Sequence, residues 1–263
     1  MTAFRALVRK EIAVLFASPI AYLVLTTVAI LTSIVFFEHL RLYNHQLFLY
    51  ASSNMGGFET DSIPDYINLR DTVFLPVMEQ LGLLLLLPIP LVTMRVFARE
   101  RDAGTEELLL TSGVSPTTIV GAKFAVTFGF VALMMAVSFL YPATAIVRGG
   151  VGGQHLLAVF VGLVLLGIGI AAIGLVCSAF TRSHVIAAAA TVASAYLLYD
   201  FGWSYSFVTP AVAEVLDVIS LHPHFGRFSE GLVSLADIVY FVALAAVAGA
   251  IVRTALGLRR VGV

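Results

Sequence analysis

Six apolar runs, at about residues 20–37, 73–94, 124–147, 156–180, 185–203 and 238–256, are separated by stretches rich in charge, glycine or proline. Each run approaches the roughly 20 residues that an α-helix needs to cross a bilayer core. The pattern predicts an all-α polytopic membrane protein, with six transmembrane helices in a single domain over residues 1–263. Ahead of the first run, residues 1–17 set Phe4, Leu7, Val8, Ile12, Leu15 and Phe16 on one side of a helical wheel. Arg5, Arg9 and Lys10 lie on the other. This is the signature of an amphipathic helix lying in a membrane interface. The length of the following run, and the Glu38, His39 and Arg41 beyond it, argue against a cleaved signal peptide.

Between the second and third runs, residues 95–123 carry Arg95, Arg99, Glu100, Arg101, Asp102, Glu106 and Glu107 in their first half, so the segment has to lie in water. Thr105 is placed to cap a short helix whose first turn holds Glu106 and Glu107, where carboxylates meet the positive end of the helix dipole. Gly113 suits a helix stop. Ser115 with Pro116 starts a second helix, which enters the third run past Lys123. Leu108, Leu109 and Leu110 cannot all face one side of so short a helix. Two readings follow: a tight hairpin with a buried leucine edge, or a docking element for another protein.

The other polar stretches are less regular. Residues 38–72 set Glu59, Asp61, Asp65, Arg70 and Asp71 among aromatic residues, which predicts short helices at the outer interface. Arg148–His155 is a glycine-broken turn, and Arg182 with His184 forms a minimal inner turn. Residues 204–235 predict one or two short helices between the fifth and sixth spans. His222 and His224 flank a proline there without a third ligand at fixed spacing, so they read as interfacial residues and no metal site is expected. Gly162, Gly167, Gly169 and Gly174 in the fourth run, with Ala171 and Ser178, read as a helix-packing face. Glu79 is an acid well inside a predicted span, which makes it a functional candidate.

Composition and charge sharpen this picture. A chain that is 60% hydrophobic and 12% charged, with a mean hydropathy of +0.99, is too apolar for a soluble domain. Its formal net charge of −1 gives no basic footprint for nucleic acid. The lone Cys177 excludes an intrachain disulfide framework. The two ends, the 95–123 loop and the Arg182 turn hold 11 of the 15 basic residues, which places both termini and the loop in the cytoplasm. No paired carboxylate at catalytic spacing, His-Glu-x-x-His, Gly-x-Ser-x-Gly or phosphate-cradling glycine loop is present, so no catalytic residue is assigned and the chain cannot hydrolyse ATP itself.

The segment ERDAGTEELLLTSGVSPTTIVGAKF, residues 100–124, resembles the loop after the second membrane helix in permease subunits of type-2 ABC exporters. Glu100, Arg101, Gly104, Thr105, Leu109 and Lys123 fall on that pattern, and Glu106 lies within it; Gly113 stands where many relatives have proline. KEIAVLFASPIAYL and ISLHPHFGRFSEGLVSLADIVYF are similar to the gliding-motility subgroup of those permeases.

The resemblance implies re-entrant or interfacial helices between the fifth and sixth spans, and a coupling helix within residues 95–123. That helix would dock on a separate ABC ATP-binding subunit, with a leucine edge for contact and Glu100, Arg101 and Glu106 as a polar rim. It further implies two ATP-binding subunits that supply ATP and Mg, a second permease copy or a related permease, and a bacterial inner-membrane location among lipid. Two alternatives remain beside the exporter: a motility-associated scaffold that binds an ATPase, and an intramembrane enzyme. The scattered Thr26, Thr32, Ser138, Thr191 and Ser194 give the latter no reaction centre.

Overall fold

The computed structural model describes residues 3–54, 67–111, 113–147, 152–204 and 207–262, and all regular elements among them are helical. Helix α1 (Ala3–Phe16) precedes α2 (Pro19–Asn54). A π-helical turn (Arg70–Phe74) opens a broken rod of α3 (Leu75–Leu84), α4 (Pro88–Thr93) and α5 (Ala98–Asp102), followed by the short α6 (Glu106–Thr111). Then come α7 (Pro116–Val147), α8 (Gly153–Phe180), α9 (His184–Tyr199), α10 (Pro210–Ile219), α11 (Leu221–Ser229) and α12 (Leu235–Gly262). The expectations for Glu59, Asp61 and Asp65 and for residues 148–151 lie outside the described residues.

Five helical segments among the described residues are long and apolar enough to cross a membrane: Pro19–Ser52, Arg70–Asp102, Pro116–Leu140, Gly153–Phe180 and Leu235–Arg260. The expected fifth span, 185–203, is instead a 16-residue apolar helix, α9. At 1.5 Å per residue it is about 24 Å long, short of a roughly 30 Å hydrocarbon core. It ends where Asp200 turns to extended backbone. The first span also differs, because α2 runs on through Glu38 to Asn54 where separate short helices were expected. Residues 38–54 contain no glycine or proline, so nothing in the backbone stops the helix where the side chains turn polar.

The second span, expected as one run over 73–94, breaks at Pro88. Pro88 has no N–H to donate to the fourth residue before it, and the preceding turn tightens into bonds from Leu86 N–H to the Leu83 carbonyl (3.2 Å) and from Leu87 N–H to that of Leu84 (3.3 Å). A second break after α4 frees the N–H groups of Phe97 and Ala98. The Ser178 hydroxyl accepts both, at 3.1 and 3.2 Å, and donates to the Met94 carbonyl at 3.0 Å.

Helix α8 lies at the centre and packs against α7, α9, α11, α12 and the α4 segment. Its glycines face different neighbours rather than one partner helix. A Cβ on Gly162 would sit 2.3 Å from Phe228 Cβ, one on Gly167 2.6 Å from Val131, one on Gly169 3.2 Å from Phe241, and one on Gly174 2.2 Å from Thr93 Oγ1. The bare backbone is what lets four elements approach this helix closely. Gly174→Ala is therefore expected to destabilise the purified chain by about 2 kcal/mol through overpacking against a threonine whose Cβ cannot move away. Gly129→Ala, in open space on α7, leaves thermal unfolding unchanged or slightly raised. Equal melting of the two variants would refute this packing argument.

Residues 204–235, where one or two short helices were expected, contain α10 and α11. Leu221, Phe225 and Phe228 of α11 are fully buried, whereas α10 buries nothing.

Candidate coupling site

The α5–α6 turn is built by backbone geometry. Gly104 takes φ +68°; its N–H donates to the Arg101 carbonyl at 3.3 Å, and the next N–H, of Thr105, donates to that of Glu100 at 2.9 Å. That pair of bonds is a Schellman stop, which requires the left-handed conformation glycine adopts without strain. Thr105 therefore fastens α5 as well as opening α6, since its hydroxyl also donates to the Glu100 carbonyl, at 3.3 Å. Gly113, at φ +79°, follows the end of α6 as expected. The Ser115 hydroxyl accepts from Thr118 N–H at 3.2 Å, so α7 starts at Pro116 and Lys123 already lies within it.

Around this turn, four charges from three elements close a ring. Lys10 Nζ lies 2.6 Å from Glu100 Oε1 and 3.2 Å from Glu11 Oε1; Lys123 Nζ lies 3.2 Å from Glu11 Oε1 and 3.1 Å from Glu100 Oε2. Lys123 is only 2% exposed, donates to the Val96 carbonyl at 2.8 Å, and sits 5.3 Å above the Phe97 ring. Charge cancels within the ring, which is the condition for holding ammonium groups away from water. Burial opposes the charged form of Lys10, yet its bonds to Glu100 and Glu11 prevail and hold its pKa above the usual lysine value.

A second cluster lies beside it. Glu106 pairs with Arg101 at 3.1 Å and with Arg259 of α12 at 2.9 Å. Both arginines also donate to the Ala179 carbonyl in the last turn of α8, at 2.8 and 2.9 Å. That carbonyl has no partner within its own helix, and cations there meet the negative end of the helix dipole.

Glu100, Arg101, Glu106 and Lys123 are thus brought together, but facing inward. These groups tie the loop to α1, α7, α8 and α12. Leu109 also turns inward, packing against the cluster of Phe97, Ile119 and Phe124, while Leu108 points out and is 71% exposed. Glu107, Asp102 and Thr111 are exposed around it. The leucine run therefore divides, with Leu109 anchoring the loop and Leu108 presented outward; the Leu110 side chain lies outside the described residues.

Glu11, Ser178 and Arg259 were missed as members of this site. The one available signal was Glu11, an acid inside an otherwise basic amphipathic helix.

Glu79 stands apart, exposed on α3 beside Gln80 and in line with the exposed Leu83, Leu87 and Leu91. It lies near enough to act electrostatically on the Tyr199 phenol. His222 rests against the Tyr199 ring at 5.5 Å. His224 stacks on Tyr240 at 3.9 Å and lies 2.6 Å from the buried Asp237, which Arg227 also engages at 2.5 Å. Among the described residues, no group of three or more His, Cys, Asp or Glu side chains is arranged to hold a metal ion.

These features define a multi-pass helical membrane protein whose α5–α6 loop is clamped to four of its helices. The profile of the ABC-2 family transporter protein family matches residues 57–254, about three quarters of the 263-residue chain, and the chain belongs to that family. It is a permease component of an ABC transporter, a class that works with a separate ABC ATP-binding subunit. No curated protein is similar enough to the chain to count as a match.

Proposed function

We propose that this permease is an exporter subunit in which α6 is the coupling helix, docking through Leu108 on an ATP-binding subunit that holds ATP and Mg. One observation carries this reading: the motif's charged groups fix the α5–α6 loop to α1, α7, α8 and α12, and an exposed leucine is left on the surface of α6. A loop tied in this way moves its helices when it is pushed. ATP-driven closure of two such subunits would bring two coupling helices together and tilt the attached spans.

The assembly we propose has two permeases, identical or related, and two ATP-binding subunits in a bacterial inner membrane. Both termini and the loop are cytoplasmic, with α1 in the inner interface and α9, despite its length of 16 residues, as the fifth of six crossings. Glu79 and Gln80, without an ion-pair partner among the described residues, favour a face covered by the second permease or lining the substrate path, because lipid contact at that depth is costly. The resemblance to gliding-motility permeases supports that subgroup, without naming a cargo.

The test is purification of the tagged chain from its native membrane, followed by an ATPase assay. A P-loop subunit is expected to accompany the chain. The Glu106→Gln, Arg259→Gln variant should retain that subunit while losing most of the coupling between permease and ATP turnover, and Glu79→Gln should keep both subunits but lower turnover. Absence of any ATPase from the wild-type preparation would reject the reading in favour of a different membrane role. Unchanged turnover in Glu79→Gln would remove that residue from the path.

A further inference from the structure

Two open cavities meet between α1 and the end of the second span. One, of about 390 Å³, is bounded by Lys10, Glu11, Glu100 and Lys123 on its polar side and by Leu15, Ile20 and Leu91 on its apolar side. The other, of about 580 Å³, is lined by Ala13, Ala17 and His184. Val14, Ser18, Arg95 and Arg99 belong to both, so the cavities form one cleft. The two lysines and two glutamates in its wall neutralise one another in the ring. Arg95 and Arg99 remain, exposed and without an acidic partner among the described residues. Arg99 N–H donates to the Arg95 carbonyl at 3.3 Å, which sets the two guanidiniums one turn apart on the same face.

We propose that this cleft binds an anionic phospholipid, its phosphate held by Arg95 and Arg99 and one acyl chain lying along Val14, Leu15 and Leu91. Guanidiniums match phosphate oxygens in paired geometry. A net excess of two positive charges favours a headgroup without a compensating cation over a zwitterionic one. The apolar wall distinguishes a lipid from a free anion. The cleft sits where the amphipathic α1 meets the end of a membrane span, the depth at which headgroups lie. A lipid bound there would contact both α1 and Arg99, next to the ring residue Glu100, and so join the membrane to the coupling loop.

The test uses the full chain alone in non-ionic detergent, so it does not depend on an ATP-binding subunit. Thermal unfolding and native mass spectrometry are followed with phosphatidylglycerol, phosphatidylcholine, glycerol 3-phosphate and inorganic phosphate. Phosphatidylglycerol should be retained and should raise the melting temperature, with phosphatidylcholine weaker and the soluble phosphates without effect. Arg95→Gln with Arg99→Gln should weaken phosphatidylglycerol binding by about tenfold or more, while Arg253→Gln leaves it unchanged. Val14→Trp, which keeps both arginines but fills the cleft, should also abolish retention, and it serves if the double variant does not fold. Equal binding of both lipids, or retained selectivity in either cleft variant, overturns the proposal. So does equal stabilisation by inorganic phosphate, which would make this a free-anion site. Loss of the lipid whenever an ATP-binding subunit is bound would assign the arginines to that protein instead.

Discussion

Glu100→Gln is expected to lower the stability of the purified chain by about 3 kcal/mol, because it removes one corner of a closed ring and leaves two ammonium groups sharing Glu11. Lys123 bears most of that cost. It is 2% exposed and cannot swing into water, so it keeps only Glu11 and the Val96 carbonyl. For a chain of this size the loss corresponds to a fall on the order of 6–12 °C in melting temperature. Glu107→Gln is the control, because Glu107 is exposed on the same loop and forms no ion pair among the described residues; its effect should stay within about 0.5 kcal/mol. Thermal unfolding of the two variants side by side decides the matter, and equal melting would show that the ring does not hold the loop.

Leu108→Asp is expected to act in the opposite way, leaving the chain as stable as the wild type but weakening capture of the ATP-binding subunit by about 30-fold, the effect of losing a central apolar contact worth roughly 2 kcal/mol. The side chain is 71% exposed, so its replacement disturbs no internal packing. Leu109→Asp provides the contrast. Leu109 packs against Phe97 and Ile119, and a carboxylate there should lower stability before it affects any partner. The two adjacent leucines thus separate docking from folding. The pair is measured by quantitative co-purification together with thermal unfolding of each variant, and a Leu108→Asp chain that still captures the subunit normally would move the contact elsewhere on the loop.

Where the chain carries backbone signals, its structure could be read from residues alone. Gly113 marks the stop after α6 and Ser115 with Pro116 the start of α7, whereas Pro88 and Pro90, read inside one continuous span, sit where that span breaks. Residues 38–54 were read as part of a stretch of separate short helices because they turn polar, but polarity ends the apolar surface of a helix and not its hydrogen bonding, so α2 continues. The fifth span was read as too long because Phe201 and Trp203 extend the apolar run past Asp200, where the backbone leaves the helix.

The candidate site was legible as a motif but not as a geometry. Glu100, Arg101, Glu106 and Lys123 were found by their pattern, while the direction they face depends on Lys10, Glu11, Ala179 and Arg259, up to 153 residues away along the chain. Pairings at such separations leave no periodic trace. Ser178 was read as a small residue in a packing face, and its hydroxyl instead serves three backbone groups at a helix break 80 or more residues earlier. A sequence does not show where another helix will lack a partner.

The most direct test of the account is photocrosslinking from position 108 in the native membrane, using a photoreactive amino acid there and, as a reference, at Leu133, which is exposed on α7. The account predicts an adduct between position 108 and a P-loop ATPase, absent from position 133. Crosslinks from 108 only to lipid, or equal ATPase crosslinking from both positions, would contradict the assignment of α6 as the element that meets the ATP-binding subunit.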